Sequence, residues 1–145
     1  MQNSTRTNPL MLLIGIFLFI VSNQCIATES SKKVERKMLL KESITHLGDQ
    51  ELTAVTVKLA PGMQVPAHQH DGFLYVYVLE GTIQSQLGNG KVITYQQGES
   101  WVEPPGVIHS LTRNPSAKYS AEILVVFIAK VDAELTTSGE LSQPE

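Results

Sequence analysis

The chain of 145 residues is 42% hydrophobic, 17% charged and 6% aromatic, and eleven Lys and Arg against fourteen Asp and Glu give a formal charge of -3. That length holds one domain rather than two, and the apolar content excludes disorder along the whole chain. A mildly acidic sequence without basic runs excludes nucleic acid as a partner, and a single cysteine excludes an intramolecular disulfide or a thiolate zinc cluster.

Residues 10–21 read LMLLIGIFLFIV, all apolar apart from Gly15. A membrane-spanning helix needs roughly 20 such residues, so this shorter run reads as the core of a secretory signal peptide. Arg6 supplies the positive charge before it, and Cys25-Ile26-Ala27 offers a cleavage site after Ala27. An uncleaved anchor and lipid attachment at Cys25 are the rivals; Gln24 is too large to precede a modified cysteine. Removing residues 1–27 from 145 leaves 118 residues, a charge of -4 because Arg6 departs, and no cysteine. The expectation is a periplasmic or secreted protein with no stable membrane anchor, held together by core packing alone.

Residues 28–37 (TESSKKVERK) read as a polar linker or short arm. A first apolar run starts at Met38-Leu39-Leu40. Leu52 to Leu59 alternates, placing Thr53, Val55, Val57 and Leu59 on one face. Phe73 to Leu79 is β-branched and aromatic, hence a strand. Short runs at Thr82–Leu87, Val92–Tyr95, Ser100–Glu103 and Ile108–Thr112 follow, and Glu122–Val131 closes the series. Pro61-Gly62, Asp71-Gly72, Gly81, Gly98 and Pro104-Pro105-Gly106 break them, and Asn89-Gly90 is a hairpin signal. Short strands broken about every ten residues predict an all-β barrel or sandwich. Residues 132–145 read as a loose tail.

Four histidines carry the candidate chemistry: His46, His68, His70 and His109. On an extended chain, residues i and i+2 point to the same side, so His68 and His70 converge on one point, as a metal requires. A surface H-x-H pair is the plain alternative. His46, in ITHLG, reads as a loop histidine. Asp71 reads as a turn former.

The surrounding spacing resembles the cupin superfamily. Gly62, His68, His70 and Gly81 match its first motif, and Gly98, Pro104, Gly106 and His109 match its second. The resemblance implies a double-stranded β-helix, or jelly-roll barrel, over residues 38–131. It also implies that His68, His70 and His109 bind one divalent metal: iron, manganese, nickel, copper or zinc. Two positions depart from the motifs. The glutamate of the first motif falls on Leu74, or on Tyr75 by the other permitted spacing, and the asparagine of the second falls on Arg113, with Asn114 one further on. Without the motif carboxylate the centre carries a charge near +2 rather than +1, which favours anionic or enolate-type ligands.

Glu103 is the candidate replacement. It shares strand parity with Trp101, and the resemblance places position 103 facing inward; an inward carboxylate beside a cation is favoured, whereas one without a partner is costly. A solvent-reaching strand end is the alternative. Trp101 would then line the cavity or simply fill the core. With Leu74 inward, Tyr75 and Tyr77 face away and suit packing or a homodimer contact, and Gln84 and Gln86 read as a solvated strand face or a ligand contact. Three functions remain open. The first is a dioxygenase-like enzyme on a small oxygenated substrate, with Glu103 as general base. The second is a non-catalytic module for a metal or small ligand, and the third a metal-free isomerase or epimerase.

Overall fold

The computed structural model describes residues 33–139. The expected signal peptide and the end of the expected tail lie outside them. The strands are β1 (Val34–Ser43), β2 (Gln50–Leu59), β3 (Gln64–Val65), β4 (His68–Gln69), β5 (Phe73–Glu80), β6 (Thr82–Leu87), β7 (Ile93–Gln96), β8 (Ser100–Glu103), β9 (Ile108–Arg113), β10 (Ala121–Lys130) and β11 (Thr137–Ser138), with one 3-10 turn at Thr45–Leu47. They form two antiparallel sheets, ordered β1-β2-β10-β5-β8 and β11-β4-β9-β6-β7, with β3 paired to β9. This is the expected jelly-roll. Among the described residues no helix is long and apolar enough to cross a membrane.

Alternation builds the core. β10 buries Ala121, Ile123, Val125, Phe127 and Ala129, and β5 buries Leu74, Val76 and Val78 while Tyr75 is exposed. Register then stacks these side chains in rows across the sheet. One row runs Met38, Val55, Val125, Val76, Trp101; the next runs Thr53, Phe127, Leu74, Glu103. Trp101 stacks on Tyr95 of the opposite sheet at 4.4 Å between centroids, tying the two layers together. At Gly81 the chain leaves one sheet for the other at φ +76, and a Cβ there would lie 2.9 Å from the Ser120 carbonyl oxygen. Glycine is the residue that tolerates both demands.

Two stretches differ from the sequence reading. β1 begins at Val34, inside the segment read as a linker, because its backbone pairs with β2 along its length; polar side chains are at home on such an exposed edge strand. The segment from residue 132 does not hang free throughout: Thr137 and Ser138 pair with Gln69 and His68, and a Cβ at Gly139 would lie 2.9 Å from the His68 backbone. Its lack of periodicity reflects a docking made by backbone groups.

The displaced asparagine also has a structural cause. β9 carries a bulge: His109 stands opposite Leu87 and Leu111 opposite Gln86, leaving Ser110 as an extra residue. One inserted residue moves the asparagine from 113 to 114. Asn114 is fully buried and donates to the carbonyls of Leu59, Ala60 and Tyr119, while its own carbonyl accepts from the Ser116 N–H.

Candidate metal centre

β4 and β9 bring the two motifs together, since His68 is the direct cross-strand partner of His109. His70 follows at the end of β4, buried against the edge of Phe127 at 5.4 Å. The rings of His68 and His70 lie 4.9 Å apart and those of His68 and His109 5.1 Å apart, with ligating atoms of all three within 4.8 Å of one another. His46 is exposed in the 3-10 turn and takes no part. Asp71 lies in the exposed bend after His70.

Hydrogen bonds fix how the imidazoles present themselves. His68 Nδ1–H donates to the Pro66 carbonyl at 2.8 Å, and His70 Nδ1–H donates to the Leu135 carbonyl at 2.6 Å, leaving both Nε2 lone pairs free. Backbone acceptors of this kind set the tautomer and orientation of metal-binding histidines. Burial pushes the His68 and His70 pKa values down, only partly countered by those carbonyl bonds, so both rings are neutral near pH 7. His109 differs. Its Nδ1 faces Glu103 Oε1 at 3.1 Å, and its Nε2 lies 2.8 Å from Ser85 Oγ and 3.0 Å from Thr112 Oγ1, so ligation of a metal by His109 would replace one of these hydrogen bonds.

Glu103 points inward and is 1% exposed. Oε1 accepts from Trp101 Nε1–H at 2.8 Å as well as from His109, whereas Oε2 has no hydrogen-bond partner and lies 3.8 Å from His70 Nε2. Burial pushes its pKa up, but hydrogen bonds from His109 and Trp101 and the field of the imidazoles outweigh that and hold the carboxyl below its ordinary value. An unpartnered buried carboxylate oxygen beside a histidine cluster lacks a cation, and one divalent ion would answer that need. Register gives the reason for its position: Leu74 and Glu103 are cross-strand partners. Glu103 therefore stands one strand over from the motif's carboxylate position, at the same level of the barrel.

The centre opens onto a cavity of about 190 Å³ walled by Val55, Val57, Val125, Phe127 and Trp101, with Arg36 and Thr136 also lining it. Gln84 and Gln86 stay outside: Gln84 accepts from Arg113, and Gln86 donates to the Gly90 carbonyl. Sequence reasoning missed Ser85, Thr112 and Leu135. Ser85 has the inward parity of Ile83 and was legible in principle. The bulge hides Thr112, and Leu135 acts through a backbone atom that no side-chain pattern reports.

A family model for the cupin domain matches residues 55–127. With that match, this fold and this site, the chain belongs to the cupin family. Among solved structures it is similar to KdgF from Halomonas sp., with 23% identity, 68% of this chain and 81% of that one covered, and a TM-score of 0.55. A double-stranded β-helix protein from Klebsiella pneumoniae gives 23% identity, coverages of 77% and 88%, and a TM-score of 0.59. The DMSP lyase DddQ from Ruegeria pomeroyi gives 19% identity and a TM-score of 0.62, covering 77% of this chain but 54% of that one. At these identities the likeness establishes the fold and not the reaction. No curated protein matches the sequence.

Proposed function

We propose that this cupin is an exported metal-dependent enzyme that acts on a small oxygenated molecule, in a dioxygenase-like reaction, at the centre formed by His68, His70 and His109. The observation that carries the reading is the buried, unpartnered Oε2 of Glu103 beside the free Nε2 of His70. A bound divalent ion would supply Lewis acidity and, if redox-active, a route to dioxygen. The chain's own residues supply the rest. Glu103, ionised at neutral pH, stands as general base toward a substrate hydroxyl or acidic C–H. Trp101 and His109 hold its Oε1 by donated hydrogen bonds, and Oε2, as a charge beside the ion rather than a ligand to it, would receive the proton. Val125 and Phe127 keep water from the reacting end.

The test is oxygen uptake and product analysis with metal-loaded protein across diols, enols and diketones. Turnover that Glu103→Gln abolishes while substrate still binds is the expected result; no turnover by fully loaded protein sinks the enzyme reading. That failure would favour the second reading, a non-catalytic module for a metal or small ligand, which the apolar Leu74 at the motif's carboxylate position supports. Export rests on residues 1–27, and a secreted form beginning at Thr28 is the result it requires. The exposed Phe73, Tyr75 and Val102 on the outer sheet face support a homodimer.

A further inference from the structure

We propose that Arg36 captures the anionic end of the ligand, so that the cavity takes small carboxylates with an apolar body whose opposite, oxygen-bearing end meets the histidine centre; this rests on the metal-centre reading for the second end only.

Where it lines the cavity, the inner face of the five-stranded sheet is apolar between its two edge strands. At one edge Glu103, on β8, faces the histidines. At the other stands Arg36, on β1. Register fixes its direction: Arg36 is paired with Val57, Val57 with Ile123 and Ile123 with Val78, so its side chain rises from the face that carries those apolar residues. Arg36 and Glu103 line the same cavity.

An edge strand often carries basic residues simply to discourage pairing with another chain. The other bases of β1 fit that account. Lys41 is paired with Glu51 at 3.2 Å, and Lys37 stands opposite Thr56 on the outer face. Arg36 does not fit it. It turns toward the cavity and has no ion-pair partner among the described residues. Lys33 takes its sequence neighbour Glu35.

The chemistry narrows the ligand. A guanidinium offers a planar fork that matches a carboxylate, and because Arg36 is itself exposed, the bond it offers is partly open to water. Besides Arg36, Trp101 and the residues of the centre, the lining's polar side chains are Thr112 and Thr136; the rest, among them Val55, Val57, Ile123 and Val125, is apolar and ill suited to a sugar-like, heavily hydroxylated body. The class is therefore a short carboxylate with an aliphatic or aromatic middle.

Titration calorimetry with hexanoate and its neutral isostere hexanamide tests the assignment. In chelator-treated full-length protein, hexanoate binds about tenfold tighter than hexanamide, the scale of one partly exposed charge-assisted hydrogen bond. Arg36→Gln removes the preference, and Arg36→Lys retains part of it with the melting temperature unchanged. Equal binding of the two probes by the native chain, no binding of either, or an undiminished preference in Arg36→Gln each overturns the proposal. Adipate, titrated into metal-loaded protein, separates the two readings. Adipate binding tighter than hexanoate supports a ligand bridging Arg36 and the centre. Equal affinities contradict the metal-centre reading, while the hexanoate pair still decides Arg36.

Discussion

Replacing Glu103 separates its structural work from its work on a cation. In Glu103→Gln the amide oxygen can still accept from Trp101 and His109, and the amide nitrogen takes the place of the unpartnered Oε2, 3.8 Å from His70 Nε2. The metal-free variant should therefore be as stable as the native chain to within about 1 kcal/mol. Glu103→Leu instead strands two buried donors, at about 1–3 kcal/mol each. A loss of about 2–6 kcal/mol and a melting point lower by on the order of 10–20 °C follow. Metal binding should instead group the two variants together below the native chain. Both variants lack the negative charge beside the imidazoles, and losing such a partner weakens metal affinity about 10–100-fold. The assay is thermal melting of metal-free and loaded protein, with affinity read by competition against a chelator. Native affinity in Glu103→Gln would refute the reasoning and leave Glu103 a structural acceptor for Trp101.

Three further outcomes follow from the same geometry. The His68 and His70 pKa values are depressed mainly by burial, so the unfolded chain takes up protons first; metal-free stability is full above the ordinary value of 6.5 and falls as pH drops toward the depressed values. Glu103, also depressed, adds a second loss below its ordinary 4.5; denaturant midpoints flat from pH 8 to 5 would contradict the first, and flat from pH 5 to 3 the second. Truncation after Ala133 removes the Leu135 carbonyl that orients His70 and the strand paired with His68; metal affinity should fall about 10–100-fold while the fold persists by circular dichroism. Phe127→Ala opens a hole beside His70 and should cost about 3–5 kcal/mol in urea unfolding.

The legible and illegible parts of this protein divide along a physical line. Strand interiors were readable because alternation at Leu74–Val78 and Ala121–Ala129 is dictated by a barrel with one dry face. The histidine cluster was readable because two imidazoles at i and i+2 must share a side, and motif spacing supplied the third. The start of β1 was not readable, since pairing along an exposed edge needs no apolar pattern. The docking of Thr137–Ser138 was hidden for a related reason, as it rests on backbone bonds to His68 and Gln69. The inward parity of Glu103 could be read from Trp101, but its direct opposition to Leu74 could not, because that pairing depends on a register between strands far apart in sequence.

The central claim is that three histidines and a displaced carboxylate form one metal centre. Elemental analysis of the purified native protein beside the His68→Ala/His109→Ala variant tests it most directly. The account predicts close to one divalent ion per chain in the first and none in the second, with both proteins folded. Native protein that holds no metal and takes none up on reconstitution, or a variant that retains it, would contradict the account.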